Sequence, residues 1–209
     1  MIKMVIKMKY DVAIIGAGPA GLFAAYELIT KNKGLKIVLI DRGSNVKQRV
    51  CPMSKKNLPC QNCEPCAILS GYGGAGTFSD GKLNFIPKLG KSDLTKYMLE
   101  SDAVKLIDDT EKIFTTFGMD AEVYPSNMQE AEEIKKKVAI AGARLLLIKQ
   151  KHLGSDHLPG YIQGICDYLS NFLDKYCTLL ISFPVSRNTS FIWSFSYTAW
   201  VESITVGSP

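Results

Sequence analysis

No run of about 18 uninterrupted apolar residues occurs in this chain, so no membrane-spanning helix is expected. A secretory leader is not expected either, because lysines interrupt the opening MIKMVIKMK and no small-residue cleavage site follows it. Together these absences give the expectation of a cytoplasmic protein. Concentrated charge is also scarce. The formal net charge is +5, with Lys3, Lys7 and Lys9 at the start and Lys135, Lys136 and Lys137 in a helix preceded by Glu130, Glu132 and Glu133. A nucleic-acid surface would need a basic stripe with exposed aromatics, so nucleic acid is not an expected partner. Only two histidines occur, His152 and His157. Their spacing does not align two rings on a helix and no third ligand is evident, which favours a structural or substrate-lining role over a metal pair. His152 is the better candidate for a proton donor, because imidazole titrates near neutral pH.

Glycine, by contrast, is placed with purpose. The apolar, β-branched DVAII reads as a buried parallel strand that ends where Gly16 begins a turn. In Gly16, Ala17, Gly18, Pro19, Ala20, Gly21, the first glycine permits the sharp turn and the second leaves no side chain between backbone and a pyrophosphate. The third lets the new helix pack close to the strand. LFAAYELI then sets Leu22, Ala25 and Leu28 or Ile29 on one helical face, with Lys33 and Gly34 ending the helix. The helix N-terminal amides suit phosphate. Leu35 to Ile40 form a second strand, and Asp41 at its end is suited to accept hydrogen bonds from both adenosine ribose hydroxyls and to repel a 2′-phosphate. Strand, glycine turn, helix, strand and acid in that order make a dinucleotide-binding unit.

Four cysteines, Cys51, Cys60, Cys63 and Cys66, then fall within sixteen residues in the pattern C-x8-C-x2-C-x2-C. In a chain with no expected export signal such clustering favours metal or redox chemistry over structural disulfides. An iron–sulfur cluster, a zinc site and a set of reduced thiols in a long loop all fit the spacing. Cys166, within YIQGICDYLSNFL, reads as a small buried residue of a packed helix, and neither it nor Cys177 is assigned a function. Next comes GYGGAGTFSDGK, with glycine at 71, 73, 74, 76 and 81. So much glycine requires close backbone approach or unusual dihedrals, unless it marks a surface loop.

The combination of YDVAIIGAGPAGLFAAYEL, VLIDRG, CPM, the CxxCxxC triplet and GYGGAGTFSDGKL resembles bacterial and archaeal FAD-dependent dehydrogenases of unassigned substrate, within the glutathione-reductase-like flavoprotein superfamily. The resemblance covers about residues 9 to 176. It implies that Gly16, Gly18, Gly21 and Asp41 contact the ADP half of FAD, and that the Gly71 to Lys82 loop lies near the flavin. The candidate cofactor-binding set is accordingly residues Gly16, Ala17, Gly18, Pro19, Ala20, Gly21, Asp41, Arg42, Gly74, Ala75, Gly76, Ser79, Asp80, Gly81 and Lys82. NAD(P)H is a candidate electron donor, and a small-molecule substrate or electron carrier the expected partner. Two alternatives stand beside this: a dehydrogenase that binds NAD without flavin, and a non-catalytic metal-binding or assembly module on a nucleotide-binding fold.

Members of the resembled family are usually about twice this long, and the superfamily needs a later strand ending in a Gly-Asp pair. That dipeptide occurs nowhere in this chain. The expected fold class is therefore α/β: an incomplete Rossmann-like FAD/NAD(P)-binding fold with part of an inserted α/β lobe. The expected organisation is residues 9–90 as the FAD-binding segment with its cysteine-rich connector, 91–176 as a partial lobe, and 177–209 as an atypical tail. Within the lobe, Asp93 is an expected N-cap for a helix to Gly118 that breaks once near Ser101, with Leu106, Ile107, Ile113, Phe114 and Phe117 as its apolar positions. Asn127, paired with Glu130, opens another helix with a glycine-containing end, and LLLI at 145 to 148 reads as a strand. The tail, rich in Ser, Thr and tryptophan, has the texture of a frameshifted or aberrant end.

Overall fold

The computed structural model describes residues 9–56, 58–173, 176–178 and 205–206. The chain divides into two compact units, one of residues 1–78 with 162–209 and the other of residues 79–161.

The first unit opens with β1 (Lys9–Tyr10) and β2 (Val12–Ile15). Pro19 takes the first helical position, where its fixed φ suits the helix and its missing N–H would have had no partner, and α1 runs over Pro19–Lys31. Leu22, Ala25 and Ile29 form its buried face. The helix stops at Asn32, earlier than Lys33 and Gly34 suggest, because the Asn32 side chain accepts the Gly34 N–H at 3.0 Å and that local bond competes with another helical turn. β3 (Ile37–Asp41) lies parallel to β2, with Val12 opposite Ile37 and Ile15 opposite Ile40. Its first four residues are buried, as an apolar strand covered on both faces requires. β2 reads much the same in sequence, yet it is only partly buried and Ile15 is 73% exposed. The reason is position: among the described residues β2 is the outer strand of its sheet. A short helix, α2 (Pro52–Lys56), follows in the cysteine-rich connector.

The second unit is built on a three-stranded antiparallel sheet. β4 (Lys82–Asn84) is followed by a hairpin of β5 (Lys88–Leu89) and β6 (Ser92–Asp93), turning through Gly90 at φ +58°, the positive φ that tight hairpin turns demand. Asp93 does cap, but it caps a single 3-10 turn over Leu94–Lys96. The helix proper, α3 (Glu100–Thr116), starts after Leu99. Ile113 and Phe114 are buried as expected, whereas Leu106 is exposed. β7 (Val123–Tyr124) leads to α4 (Met128–Ile140), whose N-cap Asn127 accepts the N–H groups of Gln129 and Glu130 at 3.0 and 3.2 Å. Gly142, at φ +78°, ends it. LLLI is not a strand. Leu145 to Ile148 instead line a cavity of about 330 Å³ with Tyr124, Ala131 and Ile134, and the ladder forms two residues later at β8 (Gln150–His152), between β4 and β7. The apolar run signals contact with other apolar groups, which the cavity lining meets only in part: Leu145, Leu147 and Ile148 are half-buried and Leu146 is exposed.

The division at residue 161 falls within α5 (Leu158–Ser170). In the first unit Ile165, Cys166 and Leu169 of this helix are buried, and the Tyr168 ring meets Tyr26 of α1 at 5.6 Å between centroids. β9 (Tyr176–Thr178) then adds parallel to β3, with Leu39 opposite Tyr176, giving the order β2-β3-β9. Three parallel strands added outward in chain order make the first half of a dinucleotide-binding sheet. β10 (Thr205–Val206) pairs with β1, and the rest of the 177–209 tail lies outside the described residues. Leu22, Ile37, Leu39, Ile165 and Leu169 are the fully buried centre of this unit, each burial worth about 1.5–3 kcal/mol.

Candidate functional site

The turn between β2 and α1 is held from both sides. Gly16, at φ +99°, donates its N–H to the Ile40 carbonyl at 2.7 Å, and the Gly18 carbonyl accepts the Leu22 N–H at 3.0 Å as the first helical bond. Pro19 has no N–H, so Ala20 and Gly21 carry the amides that a helix start leaves without an intrahelical partner. No side chain caps this end, and Pro19 and Ala20 are exposed, which leaves the amides open to an anion. A Cβ at residue 21 would collide with the Gly16 carbonyl oxygen; only glycine lets the helix start this close to the strand.

Asp41 stands at the end of β3 with both carboxylate oxygens engaged. Oδ2 accepts the Ala17 N–H and Oδ1 the Gly43 N–H, each at 2.8 Å. Each oxygen retains acceptor capacity for a further hydroxyl. The acid therefore ties the glycine turn to the segment after β3, a role that the sequence reading did not include.

The second glycine run packs directly on the first. Gly73 donates its N–H to the Ala17 carbonyl at 2.7 Å and Tyr72 to the Ser44 carbonyl at 3.1 Å. Gly71, Gly73 and Gly74 all have positive φ, and a Cβ on Gly74 would stand 3.2 Å from the Gly18 Cα. Between these backbones lies a groove of about 400 Å³, lined by Gly16, Gly18, Asp41, Arg42 and Gly74 from the candidate set. Ile15, Ile40, Leu69, Ser70 and Gly71 complete it, and Arg42 Nε donates to Ser70 Oγ at 3.0 Å. Ala17 is buried in the turn, while Ala75 and Gly76 lie in a 3-10 turn just after Gly74.

Ser79, Asp80, Gly81 and Lys82 belong to the second unit. There Lys82 Nζ pairs with Asp80 at 3.1 Å and, through that hydrogen bond first, holds the Asp80 carboxyl below its usual range. The Leu153 N–H reaches the Gly81 carbonyl at 2.8 Å, and His152 Nε2 lies 3.0 Å from the Asp80 carbonyl. His157 is exposed and pairs with Asp156 at 3.4 Å.

The four connector cysteines are not brought together into a ligand group among the described residues. All are free thiols, Cys60 and Cys63 exposed and Cys51 and Cys66 partly so, and no three His, Cys, Asp or Glu side chains are grouped to hold a metal among the described residues. Their local surroundings differ. The Cys51 carbonyl accepts the Ser54 N–H and Ser54 Oγ in the α2 turn, Cys60 Sγ lies 3.6 Å from Asn62 Oδ1, and Cys66 faces backbone amides. Those amides, of Leu69 and Ile68, pull the Cys66 thiol below its ordinary pKa, with Arg49 and Arg42 adding their charge. Cys166 is buried, and desolvation pushes its thiol up to about 12.

Arg49 is the residue that sequence reading missed. It is 4% exposed and bonds to the loop behind the groove. A loop rich in glycine has many carbonyls with no ladder to satisfy them, and that need was the one available signal for a buried arginine nearby.

Comparison with known proteins adds the family. Residues 10–142 match the family model described as pyridine nucleotide-disulphide oxidoreductase. An uncharacterized protein of Clostridium beijerinckii is 36% identical over 77 residues, which are 37% of this chain and 14% of that protein. Among solved structures the chain is similar to L-amino acid deaminase of Proteus vulgaris lacking its specific insertion sequence, at 12% identity and TM-score 0.28, covering 86% of this chain and 47% of that one. It is also similar to L-amino acid deaminase of Proteus myxofaciens in complex with anthranilate, at 11% identity and TM-score 0.32, covering 86% and 40%. The chain thus spans well under two thirds of each of these proteins. Among the described residues no helix is long and apolar enough to cross a membrane. The family match takes in the glycine turn, Asp41 and the groove wall together, and the chain belongs to the pyridine nucleotide-disulphide oxidoreductase family.

Proposed function

We propose that this chain is the N-terminal portion of an FAD-dependent dehydrogenase of the bacterial and archaeal group it resembles, and that its groove holds the ADP half of FAD. One observation carries the reading: two glycine backbones, at Gly18 and Gly74, approach in front of an uncapped helix start with a carboxylate at the end of the adjoining strand. A Cβ at Gly74 would press on Gly18 Cα and Pro19 Cδ, so glycine there lets the two backbones close into one wall of the groove. The Ala20 and Gly21 amides would hold the pyrophosphate, and Asp41 the ribose hydroxyls through its remaining lone pairs. Bound FAD would supply hydride or electron transfer, with a nicotinamide as candidate electron donor and a small-molecule substrate. The missing Gly-Asp pair and the greater length of the relatives support the view that further chain completes the enzyme.

The pyridine nucleotide in the family's description favours a second reading, in which the groove holds NAD directly. The purified chain separates the two. FAD is expected to show absorbance bands near about 370 and 450 nm and to be released by heat as a mass-identified flavin. Release of NAD would replace the first reading by the second, and a chain that neither carries a nucleotide nor binds added ADP would end both.

A further inference from the structure

Behind the groove lies a cation that the nucleotide reading does not use. The Arg49 guanidinium donates from Nε to the Ala67 carbonyl at 2.9 Å. Nη1 reaches the Tyr72 carbonyl at 2.7 Å and Thr77 Oγ1 at 3.2 Å. Nη2 reaches the Ile68 carbonyl at 2.7 Å and the Gly74 carbonyl at 2.9 Å. An arginine fork has five N–H donors, so every one is used. The Phe78 ring covers the guanidinium at 4.7 Å.

All five acceptors are neutral, and among the described residues no carboxylate lies within ion-pair distance of Arg49. A buried ion without a partner ion ordinarily costs several kcal/mol after relaxation, so a neutral side chain of similar size would suit a wall that needed only filling. Burial lowers the Arg49 pKa, while Asp41 and Cys66 raise it through space; arginine stays protonated throughout. The five oxygens fall on both sides of Leu69 to Gly71, the stretch that walls the groove. A Cβ on Gly71 would meet Arg49 Cδ at 2.7 Å, so the side chain runs directly behind that wall. Asp41 supplies one negative charge to the groove, whereas Arg42 and Arg49 supply two positive ones.

We propose that Arg49 is a positioning residue for the diphosphate: it clamps residues 67–77 into the groove wall and sets a positive charge without an ion-pair partner behind it, favouring an anionic occupant without touching it. This rests on the nucleotide reading of the groove.

The test compares ADP with adenosine, which share a base and ribose but differ in charge. The whole chain, its Arg49→Gln and Arg49→Lys variants, and a Phe78→Leu variant are titrated calorimetrically with both ligands, and hydrogen exchange is followed over residues 67–78. Arg49→Gln is expected to lose about tenfold or more in ADP affinity beyond any loss for adenosine, and to exchange faster across the loop. Arg49→Lys, which keeps the charge but not the fork, should retain most of the ADP preference while exchanging faster. Phe78→Leu should leave the preference intact. An Arg49→Gln chain that is folded and keeps the wild-type ratio of ADP to adenosine affinity would overturn the inference, since a merely structural role lowers both alike. If Arg49→Gln does not fold, Arg49→Lys decides, and wild-type exchange in its loop overturns the clamp. Wild-type chain that binds neither ligand overturns the nucleotide reading, and this inference with it.

Discussion

Asp41 holds two backbone amides, of Ala17 and Gly43, and each of its oxygens keeps acceptor capacity that the proposed ribose would use. Replacing it therefore does two things at once. Asp41→Ala is expected to weaken ADP binding at least about tenfold, or ~1.4 kcal/mol, and to lower unfolding free energy by about 1–3 kcal/mol for the two stranded amides. Titration calorimetry and urea unfolding read the two losses separately. An unchanged ADP affinity would remove the carboxylate from the site. Cys66 offers a second residue-scale test. Because amides and arginines favour its thiolate, its alkylation rate should reach half-maximum at a pH below the ordinary thiol value of 9.0. Peptide mapping of iodoacetamide labelling against pH checks this, and Arg49→Gln should move the midpoint upward.

At the scale of elements, the helix starts show which signals are local. Asn127 caps α4 with its own side chain, a contact contained within four residues and so readable from sequence. Asn127→Ala should cost about 1 kcal/mol, visible as a lower urea midpoint with unchanged slope. Asp93 carries an equally good capping signal, yet it caps one tight turn because the chain then leaves helical geometry at Leu99, φ −62° and ψ 145°, before α3 begins. A cap specifies where a turn starts and leaves its length to the residues beyond. The α1 start is different again, since its tightness comes from contact with β2. Gly21→Ala forces a Cβ against the Gly16 carbonyl and is expected to cost about 1–3 kcal/mol, the usual range for overpacking. A loss under a few tenths would mean that the strand and helix can move apart.

At the scale of the whole molecule, stability should depend on alkaline pH through Cys166. Its thiol is raised from an ordinary 9.0 to about 12 by burial, so the folded state favours the neutral form. Below pH 9 both states are protonated and this contribution to stability is fully present. Between pH 9 and 12 the unfolded chain ionises first, and stability falls. Melting temperature should therefore drop across that window, and Cys166→Ala should flatten the drop while lowering the temperature at neutral pH through lost packing. A slope identical in both proteins would show that the thiol ionises freely in the fold. The sheet sets a further whole-molecule property: β3 lies between β2 and β9, and β2 is half exposed because no described strand pairs with its other side.

The dinucleotide unit could be read directly from residues 10–41, because each of its requirements is met within a few positions: a glycine where φ must be positive, proline at the helix start, an acid at the strand end. The buried face of α1 and the Asn127 cap are legible for the same reason. What the sequence left open depends on partners far along the chain. Whether LLLI pairs or lines a cavity, and how exposed an apolar strand such as β2 remains, is settled by which neighbours arrive. Four thiols at ligand-like spacing say nothing about direction, and among the described residues no three of them are brought together. Arg49 makes the point most sharply. Its five acceptors lie 18 to 28 residues away, no periodicity marks it, and only the folded loop brings neutral carbonyls around a charge that local sequence would place in water.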